Sequence, residues 1–282
     1  MLTFREVARR GSFSRAAEAL ALTQPAVSQQ VAALERQVGA RLLERGPGGP
    51  ALTEAGALLA LHAEVVADRL ALAGDQLGEL VGRQRRRLRV GAYPSALATI
   101  VPGALGRLTA EDADLQADVT EHALEELPPK VASGRLHVAL AFQDPALPRR
   151  EHDGVRRLDV EEEPFVALLP QGHRLAGGGP LALADLAADP WVAPSREGLI
   201  MRACRAAGFE PDIRYESRDP LANRGLVAAG LAVTISPARL AADLGGIATA
   251  ELADGPHRSV YALLPEAGAV PAARAFVAAL TR

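Results

Sequence analysis

A long amphipathic segment in the first third of the chain constrains its fold most. From Glu54 to about Gly82 the sequence is almost free of helix-breaking residues. Its apolar residues alternate spacings of four and three, as in a coiled-coil seam, and they are Leu59, Ala63, Val66, Leu70, Ala73, Leu77 and Leu80. Such a helix spans roughly 40 Å at 1.5 Å per residue, which is too long and one-sided for one small domain. We therefore expect it to pair with a second copy, making the protein at least a homodimer.

Composition supports an ordered protein of about two domains. The chain has 282 residues, of which 49% are hydrophobic and 23% charged, as in ordinary globular proteins. No run of eighteen apolar residues occurs, and Arg5 and Glu6 follow Met1 without a signal-peptide core. We expect a cytoplasmic protein with no membrane partner. The single cysteine, Cys204, is interpreted as a small hydrophobe on a helix face, and no metal or other cofactor site is expected.

Charge is divided unevenly along the chain. Residues 1–87 carry 12 arginines against nine acidic residues, whereas the remainder carries 19 basic against 25 acidic residues. This asymmetry is typical of a basic DNA-facing module attached to an acidic body. The arginine-rich segment 83–89 is interpreted as a solvated hinge, with a phosphate-steering patch as the alternative.

Two short helices are expected at the amino terminus. Thr3 and Glu6 have the spacing of a capping box for a first helix that Gly11 ends. Ser14 is expected to cap a second helix that runs to Leu20. The small apolar residues of this second helix allow another helix to approach closely.

A third helix is expected to begin after Thr23, its cap residue. Proline is tolerated in its first turn because the amides there have no intrahelical partner. One face should be buried through residues spaced 4, 3 and 4 apart, namely Val27, Val31, Leu34 and Val38. Four other residues face outward: Gln24, Pro25, Ser28 and Gln29. A major groove accepts small polar side chains of this kind, and glutamine can pair with adenine through two hydrogen bonds. A merely solvated helix end is the alternative.

The amino-terminal sequence resembles the signature of LysR-type transcription regulators at many positions with fixed spacing. The matching residues are Gly11-Ser12-Phe13-Ser14, Ala16-Ala17, Leu20, Thr23-Gln24-Pro25-Ala26-Val27-Ser28, Leu34-Glu35, Gly39, Leu42-Leu43, Arg45, Leu52-Thr53 and Ala55-Gly56. The resemblance implies a winged helix-turn-helix domain at 1–57, with the third helix as recognition helix and a wing at 40–53. Arg45 is then the main wing contact with DNA, or else a residue that braces the module. The segment Gly46–Pro50 departs from relatives that carry arginine or lysine there, and it is interpreted as a turn.

The rest of the chain alternates predicted strands and helices. A strand begins at Leu88, and further strands are expected near 115–120, 137–142, 164–170, 212–217, 231–236 and 258–264. This alternation predicts an α/β domain with mostly parallel sheets. The segments Phe165–Pro170, Leu183–Leu186 and Gly225–Val233 resemble LysR-type effector domains. The resemblance implies a linker helix and hinge at 58–87 and an effector domain at 88–282. It also implies two lobes like those of periplasmic binding proteins, lobe I at 88–160 with 257–282 and lobe II at 161–256.

In such a fold ligands lie between the lobes, at the carboxyl ends of strands. Ser95, which follows the first strand, is the best candidate for an effector contact, with a plain helix cap as the alternative. The other candidates are Ala123 and Leu124 after the second strand, Phe142 ending the third strand, and Ser195, Arg196 and Leu199 opening a helix in lobe II. Ser95 and Arg196 together suit a carboxylate-bearing metabolite. Trp191 is expected in the core, and the acidic run 159–163 in a solvated crossover.

Two other classes of function are weaker alternatives. An enzyme would need a catalytic constellation, but Ser95 lies outside a nucleophile elbow and the six histidines form no metal pair. A purely architectural DNA protein would have no use for a large acidic α/β domain. The resemblance instead implies sequence-specific binding to a double-stranded DNA operator, modulated by a small effector. It also implies pairing of dimers into a homotetramer and RNA polymerase as a further partner.

Overall fold

A computed structural model describes residues 1–46, 49–81, 86–242 and 244–281. The side chains of Arg45, Glu79 and Leu80 lie outside what it describes. The chain forms two compact units that divide after Arg86, except that residues 133–136 group with the first unit. Within the described ranges no helix is long and apolar enough to cross a membrane.

The first unit contains three short helices, a hairpin and one long helix. Its elements are α1 (Leu2–Arg10), α2 (Phe13–Ala19), α3 (Gln24–Val38), β1 (Leu43–Gly46), β2 (Gly49–Leu52) and α4 (Glu54–Leu80). One apolar core joins the three short helices and the start of the wing, through Phe4, Val7, Ala16, Ala17, Val27, Val31 and Leu42. Leu59 of α4 packs against this core. The helix-turn-helix, the wing and the long helix are thus as the sequence predicts.

The helix ends differ from the predictions in two places. Ser12, not Ser14, caps α2, because its extended backbone lets its hydroxyl accept a hydrogen bond from the Arg15 amide at 3.4 Å. Thr3 is not a cap, since it already lies within α1, where its hydroxyl donates to Gln30. Thr23 caps α3 as expected by accepting from the Ala26 amide at 3.4 Å.

The wing is held between α3 and α4 by hydrogen bonds. One carboxylate oxygen of Glu35 in α3 accepts from the amides of Leu42 and Leu43, at 2.8 and 3.2 Å. Thr53, after β2, donates to the Arg41 carbonyl at 2.7 Å and accepts from the Gly56 amide at 3.0 Å. A Cβ at Gly56 would lie 2.0 Å from the Leu42 carbonyl oxygen, so only glycine permits this close approach.

The second unit contains the remaining strands and α-helices. They are β3 (Arg87–Ala92), α5 (Pro94–Ala98), α6 (Ile100–Glu111), β4 (Gln116–Glu121), α7 (Leu127–Ser133), β5 (Val138–Gln143), β6 (Val155–Leu169), β7 (Pro190–Ala193), α8 (Leu199–Ala206), β8 (Asp212–Glu216), α9 (Pro220–Ala228), β9 (Thr234–Pro237), α10 (Ala238–Ala242), β10 (Ala248–Glu251), β11 (His257–Pro265) and α11 (Pro271–Leu280).

Two lobes share the long strand β6. In the first lobe the strand order is β4-β3-β5-β11-β6, with residues 155–164 of β6 paired to β11. In the second lobe residues 165–169 of β6 pair with β9 and β10, while β7 pairs with β8. The chain therefore crosses between the lobes along β6 and returns along β11. Because these two strands run antiparallel to their neighbours, the main sheet mixes parallel and antiparallel pairs, and the prediction of mostly parallel sheets was wrong.

Some strand predictions need correction. The acidic run 159–163 lies in the crossing strand β6, but it is not solvated throughout, because the side chain of Glu163 is buried. The four-residue strands β7 and β10 were not predicted. Trp191 of β7 is fully buried as expected, and its indole N–H donates to the Leu186 carbonyl at 3.1 Å.

Candidate DNA-binding and effector-binding sites

The amino-terminal end of α3 presents a polar face. Gln24, Pro25 and Gln29 are exposed and Ser28 is half-buried. The opposite face is buried through Val27 and Val31. This two-faced arrangement follows the predicted spacing. The prediction fails at the end of the helix, where Val38 is 48% exposed because the core does not reach the last turn.

The wing places Arg45 in its first strand. The backbone of Arg45 lies in β1 opposite Pro50 of β2. The predicted contact of its side chain with DNA lies outside the described residues, as do Pro47 and Gly48 of the predicted turn.

The apolar seam of α4 divides into two parts. Leu59 and Ala63 pack within their own unit, and Ala63 is fully buried. Further along, Val66, Leu70 and Leu77 are 38%, 56% and 61% exposed, and Ala73 is also exposed. The Leu80 side chain is outside the described residues. A second exposed apolar strip, missed by the sequence analysis, lies on the first half of the helix at Leu58, Leu61 and Val65.

Three of the predicted effector contacts follow one edge of the first lobe. Strands β3, β4 and β5 run parallel in register, so that Ala92 lies between Glu121 and Leu140. Because the carboxyl ends of parallel strands share one edge, this register brings the segments after the strands together. Those segments carry Ser95, Ala123 and Leu124, while Phe142 is the next-to-last residue of β5 itself. Ser95 is the second residue of α5 and makes no capping hydrogen bond, so the alternative of a helix cap was wrong.

Behind Ser95 lies a buried ion pair that sequence analysis missed. Arg258 of β11 lies directly opposite Glu163 of β6 in the strand register. The Nε and Nη2 atoms of Arg258 lie 2.8 and 2.6 Å from Glu163 Oε2, and each side chain is 5% exposed. The guanidinium carbon is 4.9 and 4.7 Å from the ring centroids of Tyr93 and Phe142. These contacts fix Arg258 in position under the edge of the first lobe.

The same guanidinium sets the hydrogen-bonding role of Ser95. Nη2 of Arg258 donates to Ser95 Oγ at 3.1 Å. Because the oxygen accepts this bond, the hydroxyl proton of Ser95 can point elsewhere and donate to a ligand. Burial raises the pKa of Tyr93 above its ordinary value, so its phenol stays neutral at physiological pH. The edge at Ser95 therefore offers a ligand uncharged groups and a hydrogen-bond donor. It carries no net charge from the buried pair, because Glu163 compensates the charge of Arg258.

The predicted contacts from the second lobe are divided between a loop and the start of a helix. The helix α8 begins at Leu199, so Ser195 and Arg196 lie in the preceding loop and do not open the helix. The reason is a local turn in which Ser195 Oγ donates to the Glu197 carbonyl and accepts from its amide, at 2.7 and 3.2 Å. Arg196 donates from Nη2 to the Ile213 carbonyl at 2.9 Å. Leu199 packs against the core of the second lobe.

Cys204 has no features of a reactive thiol. It lies on α8 in the core of the second lobe, and burial raises its pKa to about 12. Such a thiol stays protonated and packs as a small hydrophobe. Among the described residues, no group of three or more histidine, cysteine or acidic side chains could hold a metal ion.

A winged helix-turn-helix followed by a long helix and a two-lobed domain defines a class: ligand-responsive bacterial transcription regulators. Comparison with known proteins identifies the family. A model of the bacterial regulatory helix-turn-helix proteins of the lysR family matches residues 1–57, and a model of the LysR substrate binding domain matches residues 82–282. The chain belongs to the LysR family of transcriptional regulators. It is a DNA-binding transcriptional regulator whose operator binding is modulated by a small-molecule effector.

The relatives match most of the chain. The SDS degradation transcriptional activation protein of Pseudomonas sp. (strain ATCC 19151) is 30% identical over 96% of this chain and 91% of its own length. The small neutral protease regulatory protein of Streptomyces coelicolor is 34% identical over 80% of this chain and 73% of its own. Among solved structures, full-length CbnR complexed with its target DNA has a TM-score of 0.73 at 24% identity, covering 99% of this chain and 96% of that one. This last likeness concerns the fold.

Proposed function

We propose that this protein reads an interrupted palindromic operator through the amino-terminal end of α3. The observation that carries the proposal is the polar face at Gln24, Pro25, Ser28 and Gln29, on a helix whose other face is buried. Glutamine and serine can bond to base edges, the proline ring can lie against a thymine methyl, and Arg45 would contact phosphate or the minor groove. The proposed domains are 1–57 for DNA binding, 58–87 for dimerisation and 88–282 for the effector.

The test of base recognition is Gln24→Ala in the full-length protein. We expect affinity for the operator to fall by about 1 to 3 kcal/mol and the preference at one operator position to relax, because a base contact is lost. Binding-site selection from a random DNA library measures both effects. Gln37→Ala is the matched control, since Gln37 is exposed on the same helix but near its other end. An unchanged consensus and affinity for Gln24→Ala would remove this end of α3 from base recognition.

We propose that the effector binds between the lobes at the edge that carries Ser95, and that it is a small carboxylate-bearing metabolite. Two features support this chemistry. The Ser95 hydroxyl is free to donate because its oxygen accepts from Arg258. Across the proposed cleft, the bond from Arg196 Nη2 to a carbonyl orients its guanidinium and leaves other N–H groups for a carboxylate. Ala123, Leu124, Phe142, Ser195 and Leu199 would supply the surrounding surface.

Ser95→Ala is expected to weaken effector binding by about tenfold, the loss of one hydrogen bond to a charged group. Operator affinity without effector should stay as in the wild type. A thermal-shift screen of metabolites identifies the effector, and calorimetry with that compound measures the affinity. Thr109→Ala is a suitable control, because its hydroxyl is exposed on α6 and bonds to carbonyls of that helix. Wild-type effector affinity in Ser95→Ala would place the site elsewhere.

We also propose that the chain has no catalytic activity and acts in the cytoplasm. Its relatives are named as regulators, which supports both statements. Two dimers would form a homotetramer on adjacent operator sites, with RNA polymerase as a further partner. Turnover of small acids by the purified protein would overturn the first statement, and a dimer on the complete operator would overturn the tetramer.

A further inference from the structure

An ion pair joins the two lobes away from the strands that cross between them. Arg202 lies on α8 of the second lobe, and Asp144 directly follows β5 of the first. The Nε and Nη2 atoms of Arg202 both lie 2.8 Å from Asp144 Oδ2. The carboxylate is 11% exposed and the arginine side chain 42% exposed. The contact between the lobes is therefore partly open to solvent on the arginine side.

The Asp144 side of this contact is rigid. Its other oxygen, Oδ1, accepts from the Ala146 amide at 2.9 Å, which forms a turn. The neighbouring Gln143 is buried, and its amide nitrogen donates to the carbonyls of Leu147 and Pro148 at 3.0 and 2.7 Å. These bonds tie the loop after β5 to the end of the strand. The carboxylate is thus oriented toward the second lobe with little entropy left to lose on pairing.

Arg202 is held by a helix that is anchored in the core of the second lobe. Its helix buries Ile200, Met201 and Cys204 in the core of the second lobe. Arg202 leaves the helix on the other face, so its guanidinium moves with the lobe. An ion pair between two rigid bodies responds to the distance between those bodies. Parting the lobes where this pair lies necessarily breaks it.

We propose that the Asp144–Arg202 pair is a latch that holds the cleft closed and gates the effector site. The proposal rests on the proposed function, which places the effector in this cleft. Entry of the effector requires the pair to open, and its loss favours the open arrangement of the lobes. A partly exposed ion pair is worth about three- to fivefold in an equilibrium constant, so removal should shift the closed-to-open ratio by about that factor.

The lobe arrangement can be measured in the full-length protein without any effector. Spin labels at Ala110→Cys in α6 and Ala188→Cys before β7 report the distance between the lobes by pulsed electron resonance, in a Cys204→Ala background. Both alanines are exposed. Co-expression with an excess of unlabelled chain restricts the signal to distances within one subunit. The variants are Arg202→Gln and Asp144→Asn, which retains the Oδ1 acceptor of the turn.

A matched control lies on the same helix. Arg205 pairs with Glu210 at 2.8 Å within the second lobe, so Arg205→Gln removes an ion pair that does not cross the cleft. We expect Arg202→Gln and Asp144→Asn each to shift the distance distribution toward longer values, with no added shift in the double variant. Arg205→Gln should match the wild type. A distribution unchanged in both single variants, or changed equally by Arg205→Gln, overturns the latch.

The outcome is independent of the effector proposal. Failure of the latch leaves the effect of Ser95→Ala on effector binding untouched. Conversely, a wild-type response of Ser95→Ala would move the effector site but leave the measured lobe distances as they are. If one variant folds poorly, the other removes the same contact and carries the test.

Discussion

Glu163→Ala is expected to lower the free energy of unfolding of the second unit by about 3 to 5 kcal/mol. The substitution leaves the Arg258 guanidinium buried without its countercharge, between the rings of Tyr93 and Phe142. Removing one partner of a buried pair costs more than the pair itself contributes, because the remaining ion cannot regain its hydration. Urea unfolding followed by circular dichroism measures the change.

Two comparisons separate this effect from a general loss of the strand. Glu162 neighbours Glu163 on β6, but its side chain is 58% exposed and lies 3.5 Å from His257. Glu162→Ala should therefore change stability by no more than about 0.5 kcal/mol. The double variant Glu163→Leu with Arg258→Met should be more stable than Glu163→Ala, since no unpaired ion remains. Equal destabilisation by Glu162→Ala and Glu163→Ala would contradict a special role for the buried pair.

The helix-turn-helix could be predicted from sequence because its determinants are local. The cap at Thr23, the proline in the first turn and the apolar spacing of Val27 and Val31 all lie within one short helix. Each acts on the helix that contains it, so no distant contact is needed to place the polar face. The exchange of Ser14 for Ser12 as the cap of α2 shows the usual precision of such boundaries.

The buried ion pair could not be predicted because its partners are distant in sequence. Glu163 and Arg258 meet only through the pairing of β6 with β11. In the sequence, Glu163 ends an acidic run and has the pattern of a solvated segment. The first half of β6 holds only exposed and half-buried residues, so it gives no apolar signal in the sequence. Strands β7 and β10 are four residues long, too short for a periodicity to be recognised.

The edge of the first lobe that carries Ser95 could be predicted only in part. Ser95 could be placed at the end of the first strand from the alternation of strands and helices alone. Its role as a donor depends on Arg258, which no local pattern connects to it. The latch likewise joins Asp144 to Arg202 across two lobes. The position of Ser95 in the fold could therefore be predicted from the sequence. The hydrogen-bonding chemistry of the site could not, because it depends on tertiary contacts.

Leu70→Glu is expected to separate the subunits. Leu70 lies in the middle of the exposed apolar part of α4, with Val66 and Leu77 one turn or more to either side. Pairing of two such helices would bury the new carboxylates without countercharges, which opposes association by several kcal/mol. This corresponds to at least about 100-fold weaker self-association. Sedimentation equilibrium over a range of protein concentrations measures it directly.

Operator binding should weaken together with self-association. A dimer holds its second DNA-binding module near the second half-site at a high effective concentration, and a monomer loses this advantage. Ala71→Glu is the matched control, because Ala71 is exposed on the same helix but lies off the seam, so its carboxylate stays in water. Leu70→Glu should therefore lose both the oligomer and tight operator binding, while Ala71→Glu keeps both. An oligomer of wild-type size in Leu70→Glu would show that another surface carries the contact, and the second apolar strip at Leu58, Leu61 and Val65 would be the next to test.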